Sequence, residues 1–147
     1  MNPFSRLKVG LLRLFGAKIG DNVVIKPKVN IKYPWKLTIE TNCWIGENVW
    51  IDNLAEVTIE ANVCISQGAF LICGNHNYKL STFDLIVAPI ILKEGCWVGA
   101  KSIVGPGVTI GSHAVLSLGS VASSDLNPYT IYRGNPAVKV KDRTISN

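Results

Sequence analysis

The fold of this 147-residue chain is decided by the stretch from Leu92 to Val121, which reads LKEGCWVGAKSIVGPGVTIGSHAVLSLGSV. Every sixth residue is a branched aliphatic, and a small residue or valine follows four places later. The aliphatic positions are Leu92, Val98, Val104, Ile110 and Leu116, and the later positions are Cys96, Ser102, Val108, Ala114 and Ser120. This period fits neither an α-helix nor a hairpin meander. It predicts a parallel β-helix, in which three short strands and three turns close each triangular coil.

The same period extends toward the N-terminus with a regular enlargement. Aliphatics six residues apart form the sets Ile19-Ile25-Ile31, Ile39-Ile45-Ile51 and Ile59-Ile65-Leu71, and the step between sets is eight. The early coils are therefore expected to hold 20 residues and the later ones 18. Glycine follows three of the later aliphatics, at Gly99, Gly105 and Gly111, where we expect it to supply backbone freedom at a corner.

One segment interrupts the period. The step from Leu71 to Leu92 is 21, so one corner carries 13 further residues within CGNHNYKLSTFDLIVA, residues 73–88. Loops that project from a rigid solenoid often carry function, and this loop contains His76. Stacking of 20-residue coils would place Glu56 near His76 and Asn53 near Cys73. The alternative for Glu56 is a solvated corner residue.

We expect a single domain over residues 1–147. Its parts are a capping helix at 1–18, an all-β solenoid of about five coils at 19–125 with the loop at 73–88, and a C-terminal tail at 126–147. Pro128 and Pro136 favour an extended tail that packs along the solenoid.

The N-terminal segment is the one stretch with helical spacing. Leu7, Leu11 and Leu14 lie at i, i+4 and i+7, and Val9, Leu12 and Phe15 widen its apolar face. Two interpretations stay open. The helix could cover the open first coil, which a solenoid needs, or residues 1–16 could contact a membrane surface as a basic amphipathic helix.

Charge and cysteine content limit the function classes. The net charge of +5 indicates an anionic partner such as a phosphate-bearing cofactor, or only lysines and arginines kept for solubility. The four cysteines (Cys43, Cys64, Cys73 and Cys96) lack CxxC spacing, which favours buried thiols in a reducing compartment over disulfides or zinc ligands. No signal peptide or membrane span is visible in the sequence.

Several segments together carry a family resemblance. GNHNY at Gly74 to Tyr78, PIILKEGCWVGAKSIVGPGVTIG at Pro89 to Gly111 and YRGNPAVKV at Tyr132 to Val140 resemble the hexapeptide-repeat acyltransferases. That family includes the galactoside, maltose, nodulation-factor and virginiamycin acetyltransferases. Residues 33–71 are most similar to the acetyltransferases of colanic-acid exopolysaccharide clusters. The resemblance implies a left-handed parallel β-helix, a homotrimer with active sites between subunits, and acetyl-CoA as acyl donor.

The resemblance also assigns site residues. His76 would be the general base that removes the proton of a sugar hydroxyl for direct attack on the thioester. Its alternative is a hydrogen-bonded loop histidine. The stacking of the coils, rather than the resemblance, makes Glu56 the candidate carboxylate partner. By their positions at the corner and in the loop, the candidate acceptor contacts are Asn53, Asn75, Tyr78 and Asp84, and Tyr78 and Asp84 could equally be ordinary loop residues. Candidate CoA contacts are Trp97, Gly99, Ala100, Gly119, Ser123, Ser124, Lys139 and Lys141. For Trp97, an aromatic contact between subunits is an equal alternative.

The sequence therefore predicts an acetyl-CoA-dependent acetyltransferase that O-acetylates a sugar or saccharide intermediate of surface glycan biosynthesis. N-acylation of an amino sugar and a non-catalytic, membrane-associated scaffold are the alternatives. A γ-class carbonic anhydrase would need three histidines around zinc, whereas the chain has two. We expect no metal and no nucleic-acid partner. The expected location is the cytoplasm, where acyl-CoA is available, with docking at the inner membrane left open.

Overall fold

The computed structural model describes residues 2–147, so Met1 of the predicted N-terminal segment lies outside the described residues. One α-helix, α1 (Pro3–Leu14), precedes a series of coils built from short parallel strands. The first three coils hold β1 (Lys18–Ile19), β2 (Val24–Ile25), β3 (Asn30–Ile31), a 3-10 helix (Pro34–Lys36), β4 (Leu37–Ile39), β5 (Trp44–Ile45), β6 (Trp50–Asp52), β7 (Val57–Ile59), β8 (Cys64–Ile65) and β9 (Phe70–Ile72).

A hairpin interrupts the coils, and two further coils follow it. These elements are β10 (Gly74–His76), β11 (Leu85–Val87), β12 (Ile90–Leu92), β13 (Trp97–Val98), β14 (Ile103–Val104), β15 (Thr109–Ile110), β16 (Val115–Leu116), β17 (Val121–Ala122), β18 (Thr130–Gly134) and β19 (Ala137–Asp142). The structure thus contains five complete coils and the start of a sixth, as predicted for an all-β solenoid.

Three sheets form the sides of the prism. Sheet 1 has the order β1-β4-β7-β12-β15, sheet 2 has β2-β5-β8-β13-β16-β18-β19, and sheet 3 has β3-β6-β9-β14-β17. The register confirms the predicted coil lengths: Lys18 pairs with Thr38, Thr38 with Thr58, and Ile91 with Thr109. The coil that contains the loop joins Thr58 to Ile91. The loop therefore enlarges one coil without disturbing the stack.

The predicted aliphatics form columns inside the prism. On sheet 1 the column runs through Ile19, Ile39, Ile59, Leu92 and Ile110, each paired with the next. The last four of these side chains are at most 1% exposed. Full burial of an Ile or Leu side chain contributes about 1.5–3 kcal/mol. This repeated burial makes the stack of coils rigid, and the stack holds the loop in position.

The corners differ from the sequence prediction in one respect. The left-handed backbone is not at the glycines that follow the aliphatics. On the corner between sheets 1 and 2 it is at Asn22, Asn42 and Asn62, with φ near +60°, and asparagine tolerates this conformation. Gly99 is required for a different reason: a Cβ on it would lie 2.5 Å from the backbone nitrogen of Leu118.

The helix α1 packs against the first coil through the side opposite Leu7, Leu11 and Leu14. Ser5, Val9 and Leu12 are buried. Of the predicted apolar face, only Val9 and Leu12 therefore pack, whereas Leu7, Leu11, Leu14 and Phe15 are exposed. The Oγ of Ser5 accepts a hydrogen bond of 2.9 Å from the backbone nitrogen of Ile25. A polar residue faces inward because the edge of the first coil has unpaired backbone groups to satisfy. Within residues 2–147, no helix has the length and apolar character needed to cross a membrane.

The C-terminal tail is more regular than an extended segment. Strand β18 adds to sheet 2 in parallel with β16, and β19 folds back antiparallel to it. Tyr132 takes the inward position of the sixth coil and is 9% exposed. The tail therefore closes the second end of the prism by pairing with an edge strand.

Candidate functional site

The loop that breaks the repeat is a hairpin projecting from the corner between sheets 3 and 1. Strands β10 and β11 pair antiparallel, with Gly74 opposite Val87 and His76 opposite Leu85. The backbone nitrogen of Ala88 closes the base by donating to the oxygen of Cys73 at 3.0 Å. The sequence predicted the loop and its bounds, but its two strands gave no periodic signal.

His76 is exposed on this hairpin, and its ring is held by one contact. Nδ1 lies 2.7 Å from the carbonyl oxygen of Phe83. Because a carbonyl oxygen can only accept, Nδ1 carries the proton of the neutral ring and Nε2 has the free lone pair. Phe83 has a left-handed backbone, with φ of 48°, which is uncommon for a bulky residue. The hairpin therefore fixes both the orientation and the tautomer of His76.

The register does not stack Glu56 beside His76, because Val57 pairs with Ile90 and His76 pairs with Leu85. Glu56 precedes β7, and its carbonyl oxygen accepts from the backbone nitrogen of Ile90 at 3.1 Å. The residues stacked on this corner therefore come from the segment after the hairpin. Among the described residues no hydrogen bond joins Glu56 to His76, because the hairpin leaves the stack at Gly74.

Asn53 was predicted to hold the acceptor, and the structure gives it an internal role instead. Its side chain is fully buried, at 0% exposed. The amide accepts from the backbone nitrogen of Tyr33 at 2.9 Å and donates to the carbonyl oxygens of Tyr33 at 2.7 Å and Lys36 at 3.2 Å. A buried amide with these partners fixes the enlarged corner of the coil below. Asn53 does lie in register beside Cys73, since Asp52 pairs with Ile72.

The remaining acceptor candidates lie together on the exposed hairpin. The Oδ1 of Asn75 accepts from the backbone nitrogen of His76 at 2.8 Å. Asp84 accepts through Oδ1 from the hydroxyl of Thr82 at 2.6 Å, and its carbonyl oxygen accepts from the nitrogen of Asn77. Tyr78 is 80% exposed. Asn75 and Asp84 thus order the hairpin, and Tyr78 is free to meet a ligand or a neighbouring chain.

Trp97 lies on the outer side of sheet 2, away from the hairpin of its own chain. It is 46% exposed, and its Nε1 donates to the hydroxyl of Ser66 at 2.8 Å. Its neighbour in register is Cys64. Sequence reasoning missed Ser66 and the carbonyl of Phe83. The register pairs Trp97 with Cys64, and Ser66 follows two residues later, so the spacing could have indicated Ser66 as a diagonal neighbour. No such signal exists for Phe83, since any residue can supply a carbonyl.

Three of the predicted CoA contacts meet at the corner between sheets 2 and 3. The nitrogen of Gly119 donates to the oxygen of Ala100 at 2.8 Å, so these residues stack directly. A Cβ at Gly119 would meet nothing within 4 Å, which leaves an open surface there. Gly99 beside them is buried and serves close packing.

The other predicted CoA contacts lie farther along the last coils. Ser123 and Ser124 are exposed at the corner between sheets 3 and 1, beyond the hairpin. Lys139 and Lys141 are exposed on β19, and Lys139 forms an ion pair of 2.8 Å with Asp142. This hydrogen bond raises the pKa of Lys139. The structure therefore divides the CoA candidates between sheet 2 and the two corners that border sheet 3, and it does not join them to His76 within one chain.

The cysteines are thiols, as the spacing predicted. Burial raises the pKa of Cys43, Cys64 and Cys73, which makes them poor nucleophiles or metal ligands. Among residues 2–147 no group of three or more histidine, cysteine or carboxylate side chains is placed to hold a metal ion. His76 is the reactive group that the geometry favours.

A family model and a protein of known name both match the sequence of this chain. The family model for the hexapeptide repeat of succinyl-transferase matches residues 89–121. The chain is 44% identical over 138 residues to a protein named as a colanic acid biosynthesis acetyltransferase of Escherichia coli (strain K12), with 94% of this chain and 76% of that protein covered.

Solved structures share the fold over almost the whole chain. A hexapeptide-repeat acetyltransferase of Vibrio cholerae O1 biovar eltor, complexed with acetyl coenzyme A, has a TM-score of 0.90 at 21% identity and covers 99% of this chain and 81% of its own. A galactoside acetyltransferase in complex with coenzyme A has a TM-score of 0.87 at 26% identity, covering 98% and 74%. These neighbours are left-handed β-helices, and the present fold is of that type. The chain belongs to the hexapeptide-repeat acetyltransferase family.

Proposed function

We propose that this protein transfers the acetyl group of acetyl-CoA to a hydroxyl of a sugar or saccharide intermediate, with His76 as general base. The observation that carries this proposal is the contact between Nδ1 of His76 and the carbonyl oxygen of Phe83 at 2.7 Å. In the neutral tautomer this contact places the proton on Nδ1 and leaves the lone pair of Nε2 available, which is the arrangement that a base requires. The acetyl-CoA and CoA bound by the two solved relatives support the donor.

The reaction needs only one proton carrier. Nε2 accepts the proton of the acceptor hydroxyl as its oxygen attacks the thioester carbonyl, so that a C–O bond forms. The C–S bond then breaks, and the imidazolium returns the proton to the departing thiolate. The hydrogen bond to Phe83 stabilises the positive ring between these steps. The products are the acetyl ester and free CoA.

The site is proposed to form between chains of a homotrimer. Trp44, Trp50 and Trp97 are 44–47% exposed on the outer sides of sheets 2 and 3, whereas sheet 1 carries no aromatic residue in the corresponding column, which consists of Lys18, Thr38, Thr58, Ile91 and Thr109. Strand β11 is exposed at all three residues, and an isolated hairpin is marginal in water. Apolar surfaces of this kind are covered by a partner chain. A neighbouring copy would bring its corner at Ala100 and Gly119 against the hairpin.

The proposed function is tested by following thiol release from acetyl-CoA with purified protein and a panel of saccharides. Release should depend on the acceptor and should produce an alkali-labile acetyl ester. Amino sugars with a free or a blocked amine separate O-acetylation from N-acylation, since only the free amine gives an alkali-stable amide. Calorimetric titration with acetyl-CoA, with Trp97→Ala alongside, tests the donor site independently. A folded protein that binds neither acetyl-CoA nor CoA would contradict the proposal and favour a scaffold.

A further inference from the structure

The helix α1 has a second face that its role as a cap does not use. One side buries Ser5, Val9 and Leu12 on the first coil. The opposite side consists of apolar side chains, and we name it the outer face of α1. Its members are Phe4, Leu7, Leu11, Leu14 and Phe15, which are 44%, 73%, 53%, 78% and 57% exposed. An apolar face of this extent on the end of a molecule indicates a contact surface.

The outer face is continuous. Leu7, Leu11 and Leu14 are spaced at i, i+4 and i+7, so they lie along one side of the helix. Phe4, Leu7 and Leu11 line a shallow depression of about 260 Å³. Arg6 and Arg13 fall on one flank of this stripe, at about 100° per residue, and Lys8 falls on the other. An apolar stripe bordered by basic residues is the pattern of a helix that lies in a membrane interface.

Charge is distributed very unevenly along the prism. Eight of the fifteen lysines and arginines, but only one of the ten acids, precede Glu40. This part of the chain, which forms α1 and the first coil, carries a formal charge of +7, and the remainder carries −2, giving the net +5. The apolar outer face therefore lies at the strongly basic end of the molecule.

Several of these cations are available to a partner. Arg6, Lys18 and Lys28 are exposed, and their side chains make no hydrogen bond or ion pair with the rest of residues 2–147. Others are used internally: Lys8 donates to the oxygen of Val29, Arg13 donates to the oxygen of Ile19 at 2.8 Å, and Lys26 forms an ion pair with Glu47 at 3.8 Å. The unpaired cations surround the helix end of the prism.

We propose that the outer face of α1 docks this end of the protein onto an anionic lipid bilayer surface. Leucine and phenylalanine side chains would enter the boundary between headgroups and acyl chains, and the unpaired cations would meet the anionic headgroups. A second copy is disfavoured as the occupant, because an isologous contact through α1 would join two ends of like charge. In the proposed trimer all three basic ends face the same side of the molecule. Only this arrangement of the three ends depends on the proposed assembly.

The test is sedimentation of the full chain with vesicles of two compositions. Vesicles of about 70% phosphatidylcholine and 30% phosphatidylglycerol should bind the protein at least about tenfold more tightly than phosphatidylcholine alone, with the difference reduced at high salt. The triple variant Leu7→Gln/Leu11→Gln/Leu14→Gln should lower binding to the anionic vesicles about tenfold or more. A matched triple variant at the opposite end, Val138→Gln/Val140→Gln/Ile145→Gln, should bind as the wild type does.

Two outcomes would overturn the proposal. One is the absence of binding to either vesicle by a protein that is folded and binds acetyl-CoA. The other is equal loss of binding in both triple variants. If the helix variant instead lowered the oligomeric mass while the wild type stayed off the vesicles, the outer face would contact another copy. Because binding to vesicles needs no turnover, the result is independent of the proposed acetyl transfer.

Discussion

At the scale of single residues, the thiol of Cys96 links the packing of the prism to pH. Cys96 is 1% exposed, and burial, followed by the nearby Cys43 and Glu60, raises its pKa from 9.0 to about 12. The folded state therefore keeps a proton that the unfolded chain releases above its ordinary pKa. The stability associated with this thiol is fully present below pH 9.0 and declines as the pH rises toward 12.

We expect Cys96→Ala to weaken this alkaline sensitivity. The variant should lose about 1–2 kcal/mol at neutral pH, because a small cavity replaces the sulfur. Between about pH 9 and 11 its free energy of unfolding should fall less steeply than that of the wild type, by up to about 1.4 kcal/mol per pH unit. Denaturant unfolding at several pH values measures both effects. The control is Val63→Ala, at another buried corner position, whose free energy of unfolding should lie below that of the wild type by the same amount at every pH. If the free energies of wild type and Cys96→Ala instead fall in parallel as the pH rises, the raised pKa of Cys96 is disproved.

Individual roles could be predicted only where the chemistry belongs to the side chain itself. The position of His76 in a loop follows from the broken period. The hydrogen bond that sets the tautomer of His76 could not be predicted from the sequence, because it depends on the backbone conformation of Phe83. The surroundings of Asn53 and Glu56 could not be predicted from the spacing alone, because burial and the exit of the hairpin decide what those side chains meet.

At the scale of elements, the glycines that follow inward aliphatics are not equivalent. A Cβ at Gly99 would lie 2.5 Å from the nitrogen of Leu118 and 2.7 Å from the oxygen of Leu116, whereas at Gly105 the nearest atom is the oxygen of Ala122 at 3.3 Å. Neither glycine has a left-handed backbone. Adjacent coils therefore approach more closely at Gly99.

Gly99→Ala should cost about 2–4 kcal/mol of unfolding free energy, since backbone atoms of two coils must move apart. The matched substitution Gly105→Ala should cost less than about 1 kcal/mol, because a shift of a few tenths of an ångström relieves its contact. Denaturant unfolding of the two variants under the same conditions gives the comparison. Equal losses would show that the close approach at Gly99 is not what requires glycine.

Strands within the repeat could be predicted, and those outside it could not. Inward aliphatics mark the coil strands because each must fill the prism, but β10 and β11 pair on an exposed hairpin where no burial imposes a period. Strand β18 could not be recognised in the sequence because Tyr132 takes the inward position that an aliphatic residue holds in the other coils. The face of α1 that packs was misjudged because Ser5 satisfies a backbone group on the coil edge, which outweighs the greater hydrophobicity of Leu7.

At the scale of the whole molecule, sedimentation equilibrium should give three times the mass of one chain. Trp50→Asp should shift the population toward the single chain, because Trp50 stacks on Phe70 at 4.8 Å on the outer side of sheet 3 and a charge there would oppose burial. Thr58→Asp on sheet 1 is the control and should leave the mass unchanged. A wild-type protein that sediments as one chain would contradict the trimer and the intersubunit site. The handedness of the β-helix and its assembly could not be predicted from the spacing, since the six-residue period is the same for either hand.

The most direct test of the account is the turnover number of His76→Asn beside that of the wild type, with acetyl-CoA and a productive acceptor. The account predicts that kcat falls about 10²–10⁴-fold because the proton acceptor is lost, while the Kd for acetyl-CoA stays unchanged. The same substitution at the other histidine, His113→Asn, is the control; His113 stacks on Tyr129 at 4.8 Å and has a φ of 58° that asparagine tolerates. Full activity in His76→Asn, or equal losses in both variants, would contradict the assignment of His76 as the base.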